Sequence, residues 1–286
     1  IYIKQKKESE AIKKGSTQAY KTIHTTIMAM QKKAKKTFYL KDFDNAFFMD
    51  FIAYLRTEKD ISDNTLQRKL GFFKSFLNWC IVSGYQVNMD LKKVRVKTRE
   101  TSHVSLSEEE LQILTEVKLS ERLDYYRDLF LIGVYSGQRY SDYSRFNRKY
   151  IEGDNIKIRA QKTGQFSYIP LSKKLKAILE KYDWQLKTIA SQKFNIAVQD
   201  ICRIAGFNEI IQVDKFYGSK KVSKDVPRWQ MITSHTARRS FITLSLNKGV
   251  PDYLIMQVTG IKSLKTLQGY IRFDKKLNKT ISEAWD

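Results

Sequence analysis

Apolar residues recur at helical spacing through the first ninety positions of the chain. Tyr20, Ile23, Ile27 and Met30 form a stripe across residues 16–35. Phe43, Phe47, Phe48, Phe51, Ile52 and Leu55 repeat it across 43–55. A third stripe, Leu66, Leu70, Phe73, Phe76, Leu77 and Ile81, starts beside two good N-cap types, Ser62 and Asp63, and stops at Gly84. Three such stripes predict a small all-helical bundle over 1–90. Residues 91–103 (LKKVRVKTRETSH) lack an apolar period, and five of the first nine are Lys or Arg, so 91–104 is expected to be an exposed basic linker. The pattern resumes at Ser107, which has Glu110 three residues later at capping-box spacing. An apolar run, LFLIGVYSG, ends at Gly137. The stretch NIKIRAQKTGQFSYIPL alternates, with Ile156, Ile158 and Ala160 before a Lys-Thr-Gly turn and Phe166, Tyr168 and Pro170 after it, which predicts a hairpin. Helices are expected at about 172–190 and 194–205, and a loop or short insertion at 212–228. Pro251 and Asp252 open a helix that Gly260 closes; Ser263 caps the next, carrying Leu264, Leu267 and Tyr270. The expected fold is mainly α, with a small antiparallel β-sheet in a second domain over 105–286.

Charge narrows the partner. The chain carries 52 Lys and Arg against 30 Asp and Glu, a net +22. Residues 1–100 hold 21 basic against 10 acidic residues, and the remainder 31 against 20, so both halves are basic. Two basic halves suggest a clamp with nucleic acid between them. The Lys32, Lys33, Lys35 and Lys36 run is either a solvated face or part of that surface. A membrane partner is disfavoured: the sequence has no apolar run long enough to span a bilayer and no secretory signal at Ile1. With 42% hydrophobic residues the chain can build a sizeable core, which excludes wholesale disorder. Cys80 and Cys202, the only cysteines, are expected to be reduced and structural, and two Cys with three His do not suggest a structural zinc site.

Five residues carry candidate chemistry. Arg139 follows an apolar helix and Gly137, with Asp142 three residues on to orient or pair with its guanidinium. Lys162 lies at the hairpin turn, where a flexible tip can deliver an ammonium. His235 and Arg238 share one helical face. Tyr270 is one of 16 tyrosines. Each alone has an ordinary structural role: a surface arginine at a helix end, a solvated turn lysine, a local contact, a packed ring. Their order suits chemistry on a phosphodiester, in which cations hold the phosphate, an acid/base moves a proton and a hydroxyl attacks.

Arg139 in SGQRYSD, Lys162 in the hairpin, His235-Thr-Ala-Arg238, and Tyr270 nine residues beyond Ile261 resemble the signature of the tyrosine recombinase (phage-type integrase) family, in the style of integrases of bacterial conjugative transposons. The resemblance covers nearly the whole chain, with 1–90 similar to a helical core-binding domain and 105–286 to a catalytic domain. It implies that Tyr270 attacks the scissile phosphate to give a 3′-phosphotyrosine and a free 5′-hydroxyl. Arg139 and Arg238 would bind the non-bridging oxygens, Lys162 would protonate the leaving 5′-oxygen, and His235 would assist proton transfer at the tyrosine. Such transesterification conserves bond energy, so the resemblance implies no cofactor, neither metal nor ATP. Its implied partners are double-stranded DNA at attachment sites and a homo-tetramer on DNA, with room for accessory DNA-bending or excision factors, in a bacterial cytoplasm.

One position departs. Where the family usually has His or Trp after the glycine preceding the tyrosine segment, this chain has Ile261, which cannot donate a hydrogen bond, with Lys262 adjacent. Two rivals therefore stay open: a weakened or inactive homologue kept for DNA binding, and an enzyme like type IB topoisomerases, which share the chemistry. The basic linker residues Lys92, Lys93, Arg95, Lys97 and Arg99 are further candidates for phosphate contacts. Residues 271–286, with Ile281 and Trp285, are expected to pack on a neighbouring subunit or back on their own. The polar, Lys-rich start from Ile1 is expected to be a connector following an arm-site-binding domain.

Overall fold

The computed structural model describes residues 2–8, 14–87 and 94–270. Its helices are α1 Tyr2–Glu8, α2 Lys14–Ala34, α3 Asn45–Thr57, α4 Asp63–Val82, α5 Glu108–Glu116, α6 Glu121–Ser136, α7 Tyr140–Tyr143, α8 Lys173–Lys181, α9 Ser191–Ile204, α10 Ser234–Asn247, α11 Asp252–Thr259 and α12 Leu264–Gln268. Its strands are β1 Ile151–Glu152, β2 Asn155–Arg159, β3 Phe166–Pro170, β4 Ile210–Tyr217 and β5 Lys220–Pro227. The chain divides into two compact units, one reaching to Ser102 and including Gln212–Lys224, the other comprising His103–Ile211 and the described residues from Asp225. No described helix is long and apolar enough to cross a membrane.

The first unit is a helical bundle. Phe47, Phe48 and Phe51 of α3 and Phe73 of α4 pack edge to face and stacked around Phe43, with Leu55, Leu66, Leu70 and Leu77 closing the core. Asp44 caps α3 by accepting the Phe47 N–H at 2.8 Å. Ile81, expected inside, is exposed; Cys80 takes the core position, continuing the regular spacing of Leu66, Leu70, Phe73 and Leu77. Tyr2, in the segment expected to be a connector, is buried in α1 against Tyr20, Phe76 and Trp79.

The basic linker is only partly exposed. Val94 is buried and Val96 half-buried on the bundle core, while Arg95, Lys97 and Arg99 point outward. The segment therefore has a strand-like alternation that its charge obscured. Gln67 Oε1 accepts the Val96 N–H at 2.7 Å, and the Asn64 amide pairs with both backbone groups of Arg99 at 2.7 and 2.9 Å. Lys92 and Lys93 lie outside the described residues.

The polar insertion at 212–228 is the β4–β5 ribbon, and Gln212–Lys224 of it belong to the first unit. Buried Asp63 ties it down. Both its oxygens accept the Gly218 N–H, at 3.1 and 2.9 Å, while Arg56 donates to Oδ1 from Nε and Nη2 at 3.2 and 2.8 Å. Gly218 sits at φ 69°, a conformation that favours glycine. Arg99 lies over the Phe216 ring at 4.6 Å.

The second unit is built around α6, whose Leu129, Phe130, Leu131, Ile132 and Val134 are all buried against α8, α9 and α10. Gly133 lets α10 approach: a Cβ there would lie 2.6 Å from the Tyr143 ring and 3.0 Å from the Ala237 Cβ. The Ser107–Glu110 capping box forms as expected. The three-stranded antiparallel sheet runs β1-β2-β3, pairing Ile156 with Ile169 and Ile158 with Ser167. That register buries Ser167 and Ile169, so Phe166, Tyr168 and Pro170 point to solvent. Helix α8 stops at Lys181, short of the expected 190, because Asp183 and Trp184 adopt positive φ and tuck the Trp184 ring into the core.

Candidate active site

Two glycine-ended helices and the start of α10 position Arg139, His235, Arg238 and Tyr270. Helix α6 ends at Gly137, at φ 66°, where a Cβ would meet the Phe241 ring at 2.4 Å. The tight turn leaves Arg139 in extended backbone as the N-cap residue of α7. Helix α11 ends likewise at Gly260, also at φ 66°, and turns the chain to Ile261 and α12. Ser263 caps α12 through the Thr266 N–H, and Tyr270 follows just past the end of that short helix. Helix α10, opened by Thr233 and Thr236, carries His235 and Arg238 on neighbouring turns.

Arg238 is wholly buried at the centre. Its Nη1 donates to the Gly137 carbonyl at 3.0 Å and to the Thr259 carbonyl at 2.8 Å. These carbonyls lie at the C-terminal ends of α6 and α11, where helix dipoles favour a cation. Nε and Nη2 are buried with no geometrically satisfactory hydrogen-bond partner among the described residues. Tyr270 is near enough to favour the cationic form. Burial and then the charge of Arg139 pull the guanidinium below its ordinary range, while Tyr270 and Asp142 act the other way. Arginine's range is high enough that it stays protonated at neutral pH.

The Tyr270 hydroxyl lies 3.5 Å from His235 Nε2, the outer limit of a hydrogen bond. Desolvation, then the charges of Arg239, Arg238, Arg139 and His103, lower the His235 pKa to about 4. His235 is nonetheless an exposed residue, so water screens part of that effect. At neutral pH His235 is therefore an uncharged imidazole able to accept a proton. Arg239, which the sequence reading passed over, lies over the Tyr270 ring at 4.9 Å. The available signal was its i, i+4 relation to His235.

Asp142 does not pair with Arg139. It is fully buried, and its Oδ1 accepts the Gln161 N–H at 2.8 Å and Arg145 Nη2 at 3.3 Å. Arg145 also donates to the Arg159 carbonyl at 3.1 Å. Asp142 thus ties α7 to the β2–β3 turn, at whose exposed tip Lys162 follows Gln161. Ile261 is buried with Ile242, Ile255 and Leu267, so it packs the cluster beneath Tyr270 and offers no polar group. Among the described residues no group of three or more His, Cys, Asp or Glu could hold a metal ion.

Such an arrangement can hold an anion at Arg238 and Arg139 while a neutral base receives a proton from a phenol. Residues 2–96 match the family model described as the phage integrase SAM-like domain. No curated protein matches the chain. Among solved structures, the fold matches a lambda integrase dimer bound to a COC′ core site at a TM-score of 0.70 and 16% identity, covering 96% of this chain and 95% of that one. It matches the XerH site-specific recombinase in a post-cleavage complex with a palindromic difH substrate at 0.69 and 16%, covering 94% and 79%. The Tn1549 transposon integrase with circular intermediate DNA matches at 0.64 and 13%, covering 99% and 97%. The mainly helical architecture with small antiparallel sheets is the fold of tyrosine recombinases of the integrase type.

Proposed function

We propose that this chain, folded as a tyrosine recombinase of the integrase type, is a site-specific DNA recombinase that cleaves and rejoins strands through a 3′-phosphotyrosine. The observation that carries this is the Tyr270 hydroxyl 3.5 Å from an uncharged His235, beside an Arg238 with two buried N–H groups left over. Tyr270 Oη attacks the scissile phosphorus as its proton leaves for His235 Nε2. Arg238, through Nε and Nη2, and Arg139 hold the non-bridging oxygens as charge builds on them. The bond from phosphorus to the 5′-oxygen breaks, and Lys162 supplies the proton that makes the 5′-hydroxyl. Attack by a 5′-hydroxyl on the phosphotyrosine reverses these steps and reseals a strand.

DNA is the partner that a net +22 calls for. A lambda integrase tetramer has been solved on a Holliday junction, and a homo-tetramer on two duplexes is the assembly proposed for this chain. Arg95 and Lys97, on the outer face of the 94–99 segment, are candidate phosphate contacts.

The buried, apolar Ile261 favours one second reading, a DNA-binding homologue with weakened catalysis. A nicked attachment-site duplex separates the two readings. An active recombinase accumulates protein linked to DNA on a denaturing gel, and Tyr270→Phe abolishes the adduct while still binding the duplex. A binding module retards the duplex and forms no adduct.

A further inference from the structure

Tyr270 stands just beyond the five residues of α12, and its backbone N–H donates to the Leu267 carbonyl at 2.8 Å. What orients its ring comes from elsewhere. His235 meets the hydroxyl edge, with ring centroids 6.0 Å apart and planes at 48°. Arg239, four residues further along α10 and only 8% exposed, covers the ring at 4.9 Å from guanidinium carbon to centroid. The phenol is thus bracketed by two side chains of one helix. We propose that Arg239 is a positioning residue for Tyr270, its guanidinium holding the ring beside His235 and favouring the phenolate as the hydroxyl proton departs. Arg239's role rests on Tyr270 being the nucleophile, as proposed above.

Cation–π attraction is stronger at a desolvated site, and a phenolate adds a full negative charge to the ring quadrupole. Arg239 also acts on His235, together with Arg238, Arg139 and His103, and among the described residues the Tyr270 hydroxyl lies against the imidazole. Like charge keeps the imidazole unprotonated and ready to accept. Removing Arg239 therefore has a double signature: the phenol is held less well, and His235 protonates more easily. An arginine that served packing alone would, when replaced, leave the rate of adduct formation on the pH plateau unchanged, whatever its charge does to His235.

The test uses the full chain, with wild type, Arg239→Met and Arg239→Lys. Adduct formation on a nicked attachment-site duplex is timed from about pH 5 to 9, and the histidines are titrated by NMR. The chain has only three, so His235 can be assigned, with His24 as the control. Arg239→Met is expected to slow adduct formation by roughly ten- to thirtyfold, with DNA affinity little changed. Its His235 titration and the acidic limb of its rate profile both move to higher pH, while His24 stays put. Arg239→Lys, which keeps a cation but loses the flat stack, recovers part of the rate. Should Arg239→Met fail to fold, Arg239→Gln is read in the same way. A neutral variant that reacts at the wild-type rate overturns the proposal, as does one whose His235 titration does not move. An adduct that persists in Tyr270→Phe refutes the nucleophile instead, and the His235 titration still reports on where Arg239 lies.

Discussion

The environment of His235 has a direct consequence for pH dependence. Its folded pKa, about 4, lies below the ordinary 6.5, so the unfolded chain takes up a proton first as pH falls. The stability that goes with neutral His235 is fully present above 6.5 and is lost between 6.5 and about 4. Adduct formation by free enzyme and DNA should accordingly stay level well below pH 6.5 and fall only on approach to the depressed value; an acidic limb centred on 6.5 would contradict this assignment. Gly137 makes a second residue-scale case. Gly137→Ala places a Cβ 2.4 Å from the Phe241 ring at positive φ. It should cost about 3 kcal/mol in chemical denaturation, since the backbone strain alone is of order 1 kcal/mol; an unchanged midpoint would contradict it. The elements that carry Arg139, His235, Arg238 and Tyr270 were legible, because apolar periods and the stops at Gly137 and Gly260 mark them. The partner of Asp142 was not. Three-residue spacing suggested Arg139, but that residue is in extended backbone before α7, where helical spacing no longer brings side chains together.

Among the elements, helices with one strong apolar stripe could be read directly, and elements whose burial depends on distant chain could not. The buried face of β3 was not legible because the turn after Ala160 sets the register, and a slip of one residue exchanges faces. The β4–β5 ribbon has mostly polar residues on both faces, and a buried carboxylate at Asp63, far away in sequence, is what receives its tip. Asp63→Ala should therefore speed hydrogen exchange at the Gly218 amide by roughly tenfold or more, and unaltered exchange would show that the ribbon is held otherwise. The tie from Asp142 to the Lys162 turn is open to a double-mutant cycle. Asp142→Asn and Lys162→Ala should each slow adduct formation, and together by less than the product of the two effects. Full multiplicativity would mean that Asp142 does not act through the turn.

At the scale of the molecule, the DNA partner proposed above is supported by charge. Basic residues exceed acidic ones in both halves of the sequence, and the architecture is one in which lambda integrase and XerH have been solved on DNA. Binding should weaken steeply with salt, each neutralised phosphate contributing about −0.9 to the log–log slope, and a nearly flat dependence would rule out an extensive phosphate interface. The assignment of the nucleophile is decided most directly by locating the covalent bond. After reaction with a nicked attachment-site duplex, nuclease trimming and trypsin, mass spectrometry should find a 3′-phosphonucleotide on the peptide of residues 266–272, TLQGYIR, attached at Tyr270. A linkage at any other residue, or one through a 5′-phosphate, would contradict the mechanism.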